Sequence, residues 1–260
     1  MVAGYVHVEI ESAQSPKRPD TPCGDVLASS RSTAATTLLC ADGIGSGIRA
    51  RIAAEMCSSR LLELLELGFS LRKAFASVVR TMEQNRDPSR PFAAFTVARV
   101  LNDGMATVLS YEAPPALLVS RQHAALLPSR PLELGGALAA EAECYLEPGD
   151  GLLVMSDGIT QAGLGHGLAQ GWQTEGVIRY VNHRLTDGSL PQEIPDQVHR
   201  EARRLWTRGG DDCTVAIALC RRGQIVNLLT GPPADRARDA AVVRRFMQAD
   251  GLKIVCGGTT

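Results

Sequence analysis

The sequence predicts an α+β fold in which two antiparallel β-sheets pack together and antiparallel helices flank them, giving α-β-β-α layers. Strand patterns come in a block rather than in alternation with helices. Two amphipathic helices follow each other early in the chain, and two more precede a last buried strand. With 260 residues, of which 45% are hydrophobic, the chain is long enough to bury such a core.

The first third of the chain contains the opening strand and the early helix pair. Residues 5–11 are β-rich and largely alternate between apolar and polar, and the turn-forming stretch SAQSPKRPDTP follows them. TTLLC then predicts a short strand that runs into the glycine-rich turn ADGIGSG. Apolar residues at helical spacing predict a helix over residues 48–67, and a second helix begins at Ser70 and ends before Pro88.

The middle of the chain predicts a meander of strands. FAAFTVARVL and MATVLSYEA form a hairpin around Asn102-Asp103-Gly104, because Asn and Gly supply the positive φ of a tight turn. ALLVS, residues 124–127 and the two halves of ECYLEPGDGLLVM predict further strands. TEGVIRYVNHRL and PQEIPDQVHREARRLW then have helical spacing, and CTVAIALC has the pattern of a buried strand.

The tail differs from the rest of the chain. Residues 1–222 are expected to form one domain, and residues 223–260 predict a small β-α-β appendage: the strand QIVNLLT, a helix that begins after two prolines, and the strand LKIVC. The sequence stops at CGGTT, directly after that strand. This tail is interpreted either as the start of a truncated further segment or as a natural terminus.

Composition excludes several classes of partner. The net charge of −1 gives no electrostatic reason to expect nucleic-acid or membrane-surface binding. Seven scattered cysteines without a CxxC pair argue against disulfides and thiolate zinc sites, and favour a reducing cytosol. No apolar run approaches the ~18 residues of a membrane span, and the amino terminus lacks a secretory signal. We therefore expect a soluble, cytoplasmic protein.

Acidic residues recur where predicted strands meet glycine turns: Asp25 in CGD, Asp42 in ADGIGSG, Asp157 in MSDGIT, and Asp211 with Asp212 in GGDDCT. Each motif alone is most often an ordinary turn or a solvated strand end. The GxG of the second motif lacks the GK[ST] of a P-loop and the third glycine of a dinucleotide fingerprint. The position of the carboxylates at strand ends, taken together, is the informative feature.

If these carboxylates converge, they need cations. Two unit charges 4 Å apart repel by about 4 kcal/mol at an effective dielectric near 20. Carboxylate and backbone carbonyl oxygens suit Mg²⁺ or Mn²⁺, and the lack of clustered His and Cys argues against zinc. Two such ions roughly 3.5–4 Å apart clamp a phosphoryl group and activate a water. Hydrolysis of a phosphate ester is the reaction that suits this site best.

The motifs taken in order are more specific than any one of them. CGD, ADGIGSG opening a helix, a strand meander, GDGLLVMSDGIT and GGDDCTVAIA resemble the metal-dependent serine/threonine protein phosphatases of the protein phosphatase 2C superfamily, in the bacterial SpoIIE-like sporulation branch. The resemblance covers about residues 6–220. FAAFTVARV, EAPPALLVSR and a short turn at LELGG also resemble that branch.

The resemblance implies two bound Mn²⁺ or Mg²⁺ ions and a set of residues that hold them. Asp42 would bridge both ions, and the Gly43 carbonyl would hold one of them. Asp157 and Asp211 would complete the site of the other ion. Asp25 would act on the second ion, directly or through water. Asp42, Asp157 and Asp211 would thus be catalytic through the water that the ions hold.

Other positions depart from the family pattern or stay open. Asp211 is taken as the ligand because the family's ligand is the first of the two residues, and Asp212 would then orient waters around the ions. The phosphate-binding arginine of eukaryotic members has no recognisable match, since neither Arg18 nor Arg31 lies in one. Ser46 stands where many relatives have histidine, so no side chain is assigned as general acid.

The expected function is metal-dependent hydrolysis of phosphoserine or phosphothreonine in a bacterial regulatory protein. Relatives of this branch dephosphorylate anti-sigma-factor antagonists, so such a protein is the expected partner, and a homodimer stays open. One alternative is a non-catalytic signalling module with a phosphatase fold. Another is a metal-dependent phosphohydrolase of nucleotides, although lysine is too scarce here for a polyanion track.

Overall fold

A computed structural model of the chain describes residues 5–45, 47–84, 92–134, 136–207 and 209–257. Ser46 and Pro88 lie outside these ranges. The strands are β1 (Val6–Ser15), β2 (Val26–Arg31), β3 (Ala35–Gly43), β4 (Ala93–Leu101), β5 (Met105–Tyr111), β6 (Leu117–Val119), β7 (Ala124–Leu126), β8 (Arg130–Leu134), β9 (Ala137–Tyr145), β10 (Gly151–Met155), β11 (Cys213–Arg222), β12 (Val226–Leu229) and β13 (Leu252–Val255). The helices are α1 (Ile48–Glu66), α2 (Leu71–Gln84), α3 (Asp157–Thr160), α4 (Gln173–Thr186), α5 (Ile194–Leu205) and α6 (Asp239–Gln248).

Two antiparallel sheets form the centre of the fold. The first has the strand order β2-β3-β4-β5-β9-β8, and the second has the order β1-β11-β10-β6-β7. Successive side chains of a strand point to opposite faces of the sheet, so the apolar central strands bury residues on both faces. In β3, Leu38 packs in the core between the sheets, whereas its neighbour Leu39 packs under α1 and α2. In β10, Leu152 and Leu153 divide in the same way between the inter-sheet core and the core under α4 and α5.

This arrangement confirms the predicted layers, with a helix pair on the outer face of each sheet. α1 packs on β3 largely through small residues, among them Ala50, Ala53 and Cys57, so its backbone approaches the sheet closely. α2 has a larger apolar face, which includes Phe75 against Phe95 of β4 with ring centroids 5.1 Å apart. The close approach of α1 matters for the site, because α1 begins just after Asp42 and Gly43.

Two local predictions were wrong, and one strand was not assigned. Residues 12–15, predicted as turn, continue β1 and pair with residues 213–216 of β11. β1 is an edge strand, so its polar side chains can remain partly solvated and do not oppose strand formation. The segment after CGD forms strand β2, which the sequence analysis did not assign. In LELGG, predicted as a turn, residues 132–134 belong to strand β8 and pair with β9.

The tail forms the predicted β-α-β unit. β12 and β13 pair in parallel, and a 3-10 turn (Arg236–Arg238) and α6 connect them. No residue of α6 is buried. Whether residues 1–222 and 223–260 are separate domains stays a prediction.

Two further sequence expectations concern cysteines and membrane spans. All seven cysteines are free, in agreement with the expected lack of disulfides. Among the described residues, every helix is too short or too polar to cross a membrane.

Candidate metal centre

The five aspartates singled out in the sequence lie at one end of the sandwich because the strands that hold them are antiparallel neighbours. Asp25 precedes β2 directly, and Asp42 is near the end of β3, its pairing partner. Asp157 follows β10 and opens α3, and Asp211 and Asp212 precede β11, the partner of β10. In an antiparallel pair the end of one strand lies beside the start of the next. Within each sheet, the acidic residues of neighbouring strands therefore lie at the same end of the strands.

The carboxylates lie within one another's electrostatic field. Burial, followed by the charges of Asp25 and Asp157, raises the pKa of Asp42 to about 10. Burial also raises the pKa of Asp157, and the nearby charge of Asp211 adds to it, although a hydrogen bond with Asp42 acts in the opposite direction. Side chains from four separate segments therefore form one acidic cluster that favours added positive charge.

Asp25 is the most exceptional member of this cluster. Its side chain is fully buried, and neither carboxylate oxygen has a hydrogen-bond partner within normal geometry. Burial raises its pKa to about 6, even though the hydroxyls of Thr214 and Ser156 lie near enough to lower it. A buried carboxylate without partners is costly and needs a proton or a cation.

Asp211 and Asp212 differ in how they are held. The Asp211 side chain is 32% exposed, and its Oδ1 lies 3.4 Å from Lys17 Nζ. Asp212 is buried, and its Oδ1 accepts the Lys17 backbone N–H at 2.7 Å. The Asp212 N–H donates to Asp211 Oδ1 at 3.0 Å. Asp212 is therefore buried and held by the Lys17 backbone, whereas Asp211 lies at the open, solvent-exposed side of the cluster.

The glycines of two Asp-Gly motifs are required by close backbone approach. A Cβ on Gly43 would lie 1.9 Å from the Ala50 carbonyl oxygen of α1, and a Cβ on Gly158 would lie 1.9 Å from the Asp212 carbonyl oxygen. Real Cβ atoms do not come this close to other atoms. Glycine at these positions lets α1 and the Asp212 segment pack against the strand ends that hold the acids.

The donor set fits hard divalent cations. It offers several carboxylates and the Gly43 carbonyl, and the two unpartnered oxygens of Asp25 are the observation that favours a cation most directly. Burial raises the pKa of the nearby Cys23 thiol to about 12, which makes it a poor ligand. In the described part of the chain, no three His, Cys, Asp or Glu side chains are already grouped as in a metal site.

A small cavity of about 50 Å³ opens beside the cluster. Asp42, Ile44, Glu112, Ser156 and Asp157 are among the residues that line it. Glu112 has a φ of 50°, a left-handed conformation that is uncommon for residues other than glycine. The sequence analysis did not single out this residue, and nothing in the letters YEAPP indicates its backbone conformation.

One cationic side chain of the described residues pairs with the acidic cluster. Arg31 lies at the far end of β2, where it donates to the Val8 carbonyl at 2.6 Å. Arg18 is exposed and has no side-chain partner among the described residues. Lys17, which the sequence analysis passed over, is the residue of the described part whose charged group pairs with the cluster. Lys17 lies in a segment predicted as a turn, directly after β1. The pairing of β1 with β11 brings it close to Asp211 and Asp212.

A known protein family matches most of this chain. The family model described as stage II sporulation protein E (SpoIIE) matches residues 32–221, which is more than half of the chain. The chain belongs to the SpoIIE family. A comparison with curated proteins gave no significant match.

Solved structures agree on the fold of this SpoIIE-family chain. The PP2C phosphatase domain of SpoIIE from Bacillus subtilis, with a fragment of its regulatory domain, is 18% identical over 85% of this chain and 65% of that one, with a TM-score of 0.69. The RsbU and RsbW domains of a Mycobacterium tuberculosis protein are 19% identical over 85% and 64%, with a TM-score of 0.68. RsbX in complex with magnesium is 16% identical over 83% and 99%, with a TM-score of 0.57. The chain thus spans slightly less than two thirds of the first two structures, and it shares their PP2C fold.

Proposed function

We propose that the protein is a phosphatase that hydrolyses phosphoserine or phosphothreonine in a protein substrate, with two Mn²⁺ or Mg²⁺ ions as cofactors. The observation that carries this proposal is the buried Asp25 carboxylate, which has no partner and lies in one acidic cluster with Asp42 and Asp157. Membership of the SpoIIE family supports the same activity. The magnesium in the similar RsbX structure supports the choice of cation.

The roles of the residues follow the resemblance and agree with their environments. Asp42 and the Gly43 carbonyl would hold one ion, Asp157 and Asp211 the other, and Asp25 would act directly or through water. The ions, when bound, supply charge neutralisation, polarisation of the phosphoryl group and activation of water. Asp212, held by the Lys17 backbone N–H, would position Asp211 through their shared hydrogen bond.

Lys17 would assist at the open side of the cluster. Its ammonium group lies 3.4 Å from Asp211 Oδ1, and its side chain is 36% exposed, so it can also reach a ligand. A flexible ammonium donates up to three hydrogen bonds and neutralises phosphoryl oxygens as a point charge. It would supply the positive charge that the phosphate-binding arginine supplies in eukaryotic members, whereas Arg31 is engaged at the far end of β2.

The size of the cavity favours a protein substrate over a nucleotide. A space of about 50 Å³ beside Asp42 and Asp157 is far below the roughly 300–1,000 Å³ of pockets that enclose whole small molecules. It suits a phosphoryl group whose carrier remains on the surface. An anti-sigma-factor antagonist is the partner we propose, because RsbU and RsbW domains and a stressosome protein are among the similar structures.

The test is phosphate release with and without cations. We expect turnover of p-nitrophenyl phosphate with Mn²⁺, its loss in EDTA, and faster turnover of a phosphoserine-containing anti-sigma-factor antagonist than of ADP. No turnover of any substrate with Mn²⁺ or Mg²⁺ would favour the non-catalytic signalling module. Preference for ADP would favour the nucleotide phosphohydrolase.

A further inference from the structure

A second cavity lies at the opposite end of the five-stranded sheet from the aspartates. β11 has ten residues, so at about 3.3 Å per residue its two ends are roughly 30 Å apart. Asp211 and Asp212 precede one end, and Arg221 and Arg222 form the other. The turn before β10, the turn after β6 and the segment before α5 meet at this second end and enclose about 540 Å³.

Three arginines are among the residues that line this cavity. Arg121, Arg221 and Arg222 line it, and Arg221 pairs with Glu9. Arg121 and Arg222 have no hydrogen-bond or ion-pair partner among the described residues. Two unpaired guanidinium groups that share one cavity form an arrangement suited to an anion with several oxygens.

Among the described residues, the carboxylates near the cavity do not pair with Arg121 or Arg222. All but Glu147 have another partner. Asp150 accepts the Glu147 backbone N–H at 3.1 Å, and Glu193 accepts the Leu190 backbone N–H at 2.9 Å. The Glu147 side chain itself is exposed. Glu9 pairs with Arg221. Arg121 and Arg222 therefore remain available to a ligand.

The walls of the cavity are built for more than a bare ion. Arg121 packs over the Gly149 backbone, since a Cβ on Gly149 would lie 2.8 Å from Arg121 Nε. Pro148, Leu190 and Pro191 provide an apolar wall beside the guanidinium groups, and Leu190 is 52% exposed. A volume of about 540 Å³ lies within the range of pockets that enclose whole small molecules.

We infer that this cavity binds a phosphorylated small molecule of about nucleotide size. The phosphate oxygens lie between Arg121 and Arg222, and the organic part packs on Leu190 and Pro191. This site is independent of the proposed phosphatase activity, because it shares no residue with the aspartate cluster.

The experiment is calorimetric titration of the full chain in EDTA, with ADP, inorganic pyrophosphate and adenosine as probes. EDTA keeps the aspartate cluster free of cations, so that it repels anions. We expect ADP to bind in about the micromolar to millimolar range, pyrophosphate to bind more weakly, and adenosine not to bind. Absence of ADP binding up to about 10 mM, or pyrophosphate binding as tightly as ADP, overturns the inference.

Variants separate a site from general charge. Arg121→Gln with Arg222→Gln should weaken ADP binding at least about tenfold, and the corresponding double Lys variant should recover part of it. The matched control is Arg179→Gln with Arg244→Gln, which removes the same charge from two exposed arginines that also lack an ion pair among the described residues. An equal loss in the control, or no loss in the cavity variant, contradicts the assignment. Circular dichroism confirms that each variant is folded.

Discussion

Two buried carboxylates of this fold are in opposite situations. Glu141 of β9 is 3% exposed and accepts hydrogen bonds from Arg72 and from Arg130, the latter at 2.9 Å. Asp25 is 0% exposed and neither of its carboxylate oxygens accepts any. The Arg72 hydrogen bond lowers the pKa of Glu141, whereas burial raises the pKa of Asp25.

The difference separates structural charge from charge available to a ligand. Glu141 joins α2, through Arg72, to β8 and β9, so its partners are supplied by the fold itself. Gln14 and Arg51 donate to the Asp25 backbone carbonyl and not to its carboxylate. The hydroxyls of Thr214 and Ser156 lie near the carboxylate without forming hydrogen bonds of normal geometry. A carboxylate kept buried and unpaired is where a cation contributes most.

The largest expected effect is on activity at the unpaired cluster. Asp42→Asn should lower Mn²⁺-dependent turnover of p-nitrophenyl phosphate by about a thousandfold or more, because a proposed ligand of the ions is lost and phosphate monoesters hydrolyse very slowly without catalysis. Asp196→Asn, in an exposed ion pair on α5, is the control and should keep full activity. Turnover of the Asp42 variant near that of the parent would contradict the assignment.

Removing the paired carboxylate should cost stability. Glu141→Gln should lower the free energy of unfolding by about 1–3 kcal/mol, because Arg72 and Arg130 lose a charged acceptor. The folded-state pKa of Glu141 lies below its ordinary value of 4.5, so its contribution is present above that pH and is lost as the pH falls through the folded-state pKa. Urea unfolding at neutral and acid pH should show the difference between parent and variant shrinking in acid. A difference that is the same at both pH values would contradict this account.

Removing the unpaired carboxylate should have the opposite effect. In EDTA, Asp25→Asn should raise the free energy of unfolding by about 1 kcal/mol, because a neutral amide costs less to bury than an unpartnered carboxylate. With Mn²⁺ the order should reverse, since the parent gains stability from binding. Urea unfolding in both buffers measures this. Asp103→Asn, at an exposed hairpin, is the control and should show no cation-dependent reversal.

The sequence predicted the layers of the fold because strongly periodic segments were enough to identify them. The helix pairs have apolar residues at helical spacing, and β11 has a continuous apolar run typical of a buried strand. β2 was not assigned because VLASSR has a weak pattern, and residues 12–15 were assigned to a turn because they begin a stretch rich in Ser and Pro, which favour turns. In both cases tertiary pairing outweighed local propensity.

The candidate site was only partly predictable, for a similar reason. Asp-Gly motifs at strand ends identify the acids, because the same residues also make the turns. Lys17 and Glu112 could not be found in this way. One reaches the cluster through long-range strand pairing, and the other lines the cavity through an uncommon backbone conformation. Neither feature has a signal in the neighbouring letters.

The smallest expected effect concerns the tail. A chain ending at residue 222 should hydrolyse p-nitrophenyl phosphate within about twofold of the full chain, because both candidate ion sites and their supporting strands lie before that residue. The junction is modest: the Gly223 N–H donates to the Tyr5 carbonyl at 2.8 Å, and Tyr5 packs against Gly223. The full chain carrying Gly223→Ala, which crowds Tyr5, tests this contact without removing the tail. If truncation abolishes folding, measured by circular dichroism, the β-α-β unit belongs to the phosphatase core and the proposed division at residue 222 is wrong.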